Sequence, residues 1–333
     1  MDRSVTASRS QLTQIELDEA FAAAKHYAQK ARADSTWRAY QSDWRQFEAW
    51  CVKLDLEALP ATPETVSMFV ASQAAAGLNP STLNRRLCAI RLVHLGAGHA
   101  SPHNALKVTE VMRGIRRDWA QPPEKKVAAI DDDIKRMADA VAPETAKGLR
   151  DRALLLFGFA GAFRRSELVA LNTWNCTEQE EGLKVTIEKS KTDQEGTGQV
   201  IAILRQADSP YCPVQALQDW LTVAAIEKGA VFRRMFVHDT VGKQRLSAQS
   251  VALVIKEHAR RAGLDWQRYA GHSLRSGYLT SAAQNRASIF KMADQSRHKS
   301  LDVLRQYVQG EDLFADHSAE ELLKPTDPKA EIR

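Results

Sequence analysis

The chain has 333 residues, 44% of them hydrophobic and 26% charged, with four cysteines, a formal net charge of +5 and a pI near 9.0. That length exceeds one typical core, since single cores stop growing at about 250 to 300 residues, so two globular units are expected. The longest apolar runs, such as 153–162, fall far short of the roughly 20 residues of a membrane span, and Cys51, Cys88, Cys176 and Cys212 have no paired spacing that would suggest a disulfide or a zinc site. A modest positive charge is compatible with a polyanionic partner without requiring one.

In chain order, Met1-Asp2-Arg3-Ser4 carries no apolar run, so no secretion signal is expected and the cytoplasm is the expected compartment. A helix is expected over 15–31. A stronger one follows from Ser35, with Trp37, Tyr40, Trp44, Phe47, Trp50 and Cys51 at helical spacing as a core stripe. Arg38 and Arg45 lie off that stripe, towards solvent or phosphate. Pro63 suits the first turn of a helix ending near Gly77, and Pro80-Ser81 opens the next, which carries Arg85, Arg86 and Arg91. A fourth helix from about Ala105 carries Arg113, Arg116 and Arg117. His94, His99 and His103 straddle a glycine-containing turn with no carboxylate or cysteine in register, so loop histidines are expected there and no metal.

The segment 121–126, with two prolines and three charges, reads as a linker. Helices are expected from Asp131, from about Ala146 to Ala160, and from Arg165 to Leu171. Alternation over 183–204, broken by Asp193, Gly196 and Gly198, predicts a β-hairpin. Helices resume at Pro213, Ser247, His272, Ser288 and Ser300. The expected class is therefore mainly α with a small β-sheet. The expected layout is a leader and first helix over 1–34, an N-terminal helical unit over 15–120, a linker over 121–127, an α+β unit over 128–311 and a tail over 312–333.

Five segments then carry a resemblance: Gly-Ala-Phe-Arg-Arg-Ser-Glu-Leu (161–168), Ser-Lys-Thr-Asp-Gln (190–194), Gly-His-Ser-Leu-Arg-Ser-Gly (271–277), Arg-His-Lys-Ser (297–300) and Leu-Arg-Gln-Tyr-Val (304–308). Each alone is commonplace, but their order and spacing resemble the tyrosine recombinase, or phage integrase, family from about residue 35 to 323. The resemblance implies a SAM-like helical core-binding bundle followed by a catalytic domain of the tyrosine recombinase type. It implies that Arg164, Lys191, His272, Arg275 and His298 serve Tyr307 as nucleophile, with Glu167 in support. Lys189 is an alternative register for the lysine, and a surface ion pair is the alternative role for Glu167. Arg165 is left as surface or a phosphate contact.

The chemistry agrees with that assignment. Phosphoryl transfer needs charge on the non-bridging oxygens to be held, and arginine offers a planar fork of donors that cannot lose its proton. A phenol with an ordinary pKa of about 10 needs activation near neutral pH, for which His272 is the candidate. Lys191 would protonate the leaving 5′-oxygen. No cofactor and no metal are implied: there is neither a phosphate-binding Gly-x-x-x-x-Gly-Lys-Ser/Thr loop nor a carboxylate cluster spaced for two ions.

The resemblance further implies a double-stranded DNA partner at a recombination site and a homotetramer on two such sites, with room for a partner recombinase or a DNA-bending protein and a nucleoid-associated location. The tail would dock on a neighbouring protomer, folding back in cis being the alternative. Arg85, Arg86 and Arg117 are the expected phosphate contacts. Gln249, at the start of the helix after Leu246-Ser247, is the candidate reader of adenine, a solvent-facing role being equally open. Other readings are a topoisomerase or telomere-resolving enzyme with the same chemistry, and a catalytically silent architectural DNA-binding protein. Asn285-Arg286-Ala287 departs from the family, where many members have a glycine-containing turn.

Overall fold

A computed structural model of the chain describes residues 31–119, 127–188 and 198–308. The expected helix over 15–31, the linker prolines, Lys189, Lys191 and the tail lie outside the described residues. The contacts divide the chain into two compact units, meeting between Pro123 and Glu124. Among the described residues no helix is long and apolar enough to cross a membrane.

Among the described residues the first unit is a bundle of four α-helices: α1 (Asp34–Lys53), α2 (Pro63–Ala75), α3 (Pro80–Gly96) and α4 (Leu106–Asp118). Their starts are written locally. Thr62 accepts from the amide of Thr65 and Asn79 from that of Thr82, and each cap precedes a proline whose missing N–H would have gone unused. The core is aromatic, with Phe47 set edge-on to Phe69 at 5.0 Å and Trp50 edge-on to the same ring at 5.4 Å. Phe47, Cys51, Val66 and Phe69 are fully buried, while Trp37, Tyr40, Trp44 and Trp50 sit at the margin of the expected stripe.

Two expectations for this unit are corrected. Arg86 does not face solvent or phosphate: it is buried, its Nη atoms donating to Gln46 and Gln73, with its Nε 3.8 Å from Asp43. The cause is the buried Asp43 carboxylate, which also accepts two bonds from the half-exposed Arg85 at 2.7 and 3.0 Å; an unpaired charge there would be costly. His94 is not a loop residue either. It is buried on α3, where its Nε2 accepts from the Ala61 amide at 2.9 Å and its Nδ1 donates to the Ile90 carbonyl at 2.8 Å. Both ring nitrogens are spent on backbone, which fixes the tautomer.

The second unit contains α5 (Asp131–Asp139), α6 (Ala146–Ala160), α7 (Arg165–Ala170), β1 (Cys176–Gln179), β2 (Gly182–Ile187), β3 (Gln199–Leu204), α8 (Pro213–Val223), β4 (Arg233–Met235), β5 (Val241–Arg245), α9 (Ala248–Arg261), α10 (Ser273–Gln284), α11 (Ile289–Ser296) and α12 (Asp302–Val308). The predicted hairpin is present as β2 and β3, antiparallel with Val185 opposite Ile201 and Leu183 opposite Ile203. It is extended by β1, and β4 pairs with β5, so among the described residues there are two small antiparallel sheets rather than the single one expected. These extra strands are three to five residues long and mostly polar, with no alternation to announce them.

The central helix α6 buries Leu154, Leu155 and Phe157 against α8, whose Trp220 is fully buried and donates to the Val231 carbonyl at 2.9 Å. Helix α10 is pressed onto the segment before α5. A Cβ at Gly277 would stand 1.7 Å from the Ala129 carbonyl oxygen, and the Ala129 amide donates to the Ser273 carbonyl at 3.0 Å. Only glycine permits that approach. In the Asn285-Arg286-Ala287 turn, Arg286 adopts φ 54°, the left-handed conformation a glycine would enter more cheaply. The turn carries a backbone cost of about 1 kcal/mol there.

Candidate active site

The turn between α6 and α7 is the anchor of the site. Ala162, at φ 45°, points its carbonyl at two guanidinium groups: Arg275 Nη1 donates to it at 2.8 Å and Arg297 Nη2 at 2.9 Å. Arg297 Nη1 also donates to the Gly161 carbonyl at 2.9 Å. Phe163 stacks on Phe157 beneath, and the Arg297 guanidinium lies 5.3 Å from the Phe163 ring centre.

Arg164 caps α7. Glu167, three residues on, accepts the Arg164 amide at 3.0 Å and the Arg164 Nη1 at 2.6 Å, the carboxylate arm of a capping box. Its second oxygen also accepts from Arg297 Nη2 at 2.7 Å. Glu167 is 2% exposed, so the alternative of a surface ion pair is excluded. Burial pushes its carboxyl pKa up, but the Arg297 charge and then the bonds and charge of Arg164 outweigh this and hold it below the usual range.

Arg275 is fully buried on α10, one turn after His272. Burial, reinforced by the Arg164 and Arg297 charges, pushes its pKa down to about 9, so it remains cationic at neutral pH. Its Nη2 lies 3.3 Å from Nε2 of His298. Ser296 Oγ, which donates to the Met292 carbonyl, lies 2.7 Å from His298 Nδ1. That arrangement puts the imidazole proton on Nδ1, where Ser296 accepts it, and Arg275 Nη2, also 3.4 Å from Nδ1, lies against the ring. Burial and then the Arg275 charge push the His298 pKa down to about 4, so the ring is neutral.

Tyr307 projects from α12 against Leu279, Met292 and Leu304, half-buried. Burial raises its pKa, while the nearby Arg275 charge pulls it back. His272 is exposed at the N-cap of α10, near enough that its charge acts on His298. Of the residues named from sequence, Arg164, Glu167, His272, Arg275, His298 and Tyr307 therefore meet in one region, and Lys191 lies outside the described residues. Gln249 is exposed on the first turn of α9, and Arg117 is exposed in the first unit. Sequence reasoning assigned no role to Arg297. Its only sequence signal was its place beside His298; its burial and partners arise from the fold.

Two guanidinium groups, Arg164 and Arg297, pair with one carboxylate here, Arg275 makes no ion pair with it, and Arg275 Nε and Arg297 Nε are buried without a partner among the described residues. An excess of fixed positive charge, beside a phenol and an imidazole, is suited to a phosphoryl group.

Comparison with known proteins agrees. The profile of the phage integrase family matches residues 130–313, and that of the phage integrase N-terminal SAM-like domain matches residues 25–99. The integrase/recombinase XerD homologue of Selenomonas ruminantium is 37% identical over 298 residues, covering 89% of this chain and 87% of that relative. Recombinase Cre of Escherichia phage P1 is 20% identical over 85% of this chain and 86% of its own. Among solved structures, a lambda integrase dimer bound to a COC′ core site shares the fold, with a TM-score of 0.58 at 14% identity over 86% of this chain and 76% of that one.

Proposed function

The chain belongs to the phage integrase family and is a tyrosine recombinase, and from that premise we propose that it cuts and rejoins double-stranded DNA at specific sites through a 3′-phosphotyrosyl link to Tyr307 and a Holliday-junction intermediate. The observation that carries the proposal is the meeting of Arg164, Arg275 and His298 with Tyr307 around a shared excess of positive charge.

In this reading Arg164 and Arg275 grip the non-bridging oxygens of the scissile phosphate. The Tyr307 oxygen attacks phosphorus, its proton passing to His272, and the bond to the 5′-oxygen breaks as Lys191 supplies a proton. The phosphodiester's energy is kept in the phosphotyrosine, and a free 5′-hydroxyl from another end reverses the step. Arg275 is covered by His298, so phosphate reaches it once the imidazole turns aside. With the Nδ1 proton released to solvent and one taken up at Nε2, the Ser296 hydroxyl turns to donate to Nδ1 and the Nε2 proton is offered to the phosphate.

The test uses duplexes selected by the protein from a randomised pool and nicked beside the cleavage position, so that the released fragment is lost. A DNA-linked band on a denaturing gel, removed by protease, is the expected result; failure to trap any such band on selected duplexes would sink the reading. Gln249 is assigned to base reading and Arg117, with the outer face of Arg85, to phosphate. Replacing Gln249 by alanine should flatten the preference at one base pair, worth about 1–3 kcal/mol, and an unchanged selected sequence would remove that assignment. Phosphate contacts set affinity without reading sequence.

The assembly proposed is four copies on two sites, each tail, residues 312–333, docked on its neighbour in a closed ring. The tail's Leu313, Phe314, Leu322 and Leu323 interleaved with carboxylates support this. Ending the chain at Gly310 should reduce the mass of the protein–DNA complex below that of a tetramer, and an intact tetramer would refute docking in trans.

A further inference from the structure

Arg297 has an unusual combination of properties. It follows α11 at φ 58° and ψ 45°, the left-handed position that glycine usually fills where a helix ends this way, and a side chain there costs about 1 kcal/mol. The side chain then turns inward until the residue is 3% exposed, which costs a guanidinium much of its hydration. A buried ion pair of this kind adds little net stability compared with apolar packing. Its contacts explain its presence better: Nη2 donates both to Glu167, which also holds Arg164, and to the Ala162 carbonyl, which it shares with Arg275, while Nη1 donates to the Gly161 and Gln295 carbonyls.

We propose that Arg297 is a positioning residue: through Glu167 and the Ala162 carbonyl it sets the separation and orientation of Arg164 and Arg275, so that both guanidinium groups grip one phosphate. This rests on the recombinase reading above. Arg297 does not touch substrate, because its two Nη atoms are occupied by Glu167 and by the carbonyls of Gly161, Ala162 and Gln295. The same turn carries His298 on the adjacent residue, so one side chain ties the α6–α7 turn to the α11–α12 turn and fixes both halves of the phosphate cradle.

The test compares full-length wild type, Arg297→Gly, Arg297→Lys, Glu167→Gln and the Arg297→Gly/Glu167→Gln double variant in single-turnover adduct formation on the nicked duplex. Arg297→Gly relieves the backbone and removes the brace. Its adduct rate should fall roughly 100-fold, as misplacement by about 1 Å can do, while DNA binding changes by only a few fold. Without its strongest opposing charge, buried Glu167 should take up a proton more readily, so the rate of Arg297→Gly should drop further as pH falls, in a limb that wild type lacks. The double variant should show no such limb and be no slower. Arg297→Lys keeps the charge without the fork and should be slow without the acidic limb; it also serves if the glycine variant folds poorly.

A glycine variant matching wild type in rate and pH profile, or slowed only in proportion to its unfolded fraction, would overturn the positioning role alone. A wild type that forms no adduct dependent on Tyr307 would overturn the recombinase reading and this inference with it.

Discussion

Replacing Tyr307 by phenylalanine should abolish the DNA-linked band, lowering adduct formation by roughly 10⁴- to 10⁶-fold, the scale on which loss of a nucleophile is felt. The change removes one oxygen. The ring keeps its place against Leu279, Met292 and Leu304, so α12 should stay docked and thermal stability should change little. Burial already raises the phenol's pKa, with only the Arg275 charge opposing. Folding therefore gains nothing from ionising the hydroxyl, and ionisation has to be driven by the bound phosphate and a proton acceptor. Binding to the selected duplex should be unchanged within about twofold. A band of equal intensity in the phenylalanine variant would remove Tyr307 as nucleophile and turn attention to other hydroxyls near Arg275.

The residues that make up the site were legible in sequence for different reasons. Arg164 and Glu167 are three apart at the start of a helix, and His272 and Arg275 are one turn apart, so local geometry decides their neighbours. The hairpin was legible because Val185, Ile187, Ile201 and Ile203 alternate to one buried face. What failed depended on partners distant in the chain. Arg86 is drawn inward by Asp43, 43 residues away, and the same periodicity that reveals a helix cannot tell a buried basic residue from an exposed one. Arg297 meets Glu167 across 130 residues, and nothing in the composition around it distinguishes a brace from a surface charge. The short polar strands β1, β4 and β5 are fixed by the chain around them rather than by any pattern of their own.

Exchanging Arg275 for methionine should make the protein both inactive and more stable. The buried guanidinium pushed down to about 9 reports that the fold without phosphate disfavours its charge, first through burial and then through Arg164 and Arg297. For a basic group with a depressed pKa the penalty is fully present below the folded value, near 9, and is relieved as pH rises from there towards the ordinary arginine range. At neutral pH wild type therefore carries it and the methionine variant does not. Substituting a buried charge by an apolar side chain of similar shape can stabilise by about 1–4 kcal/mol, and each kcal/mol is worth about 2–4 °C of Tm in a unit of this size. The Ala162 carbonyl is not orphaned, because Arg297 still donates to it. Adduct formation should fall by about 10³-fold or more, as when a fixed donor to a developing oxyanion is removed. Inorganic phosphate should raise the Tm of wild type, because it binds the folded state and supplies the missing counter-charge, and should raise that of the variant much less. A methionine variant that melts earlier at neutral pH and responds to phosphate as wild type does would make Arg275 a structural residue. The same outcome would leave Arg164 and His298 to hold the phosphate.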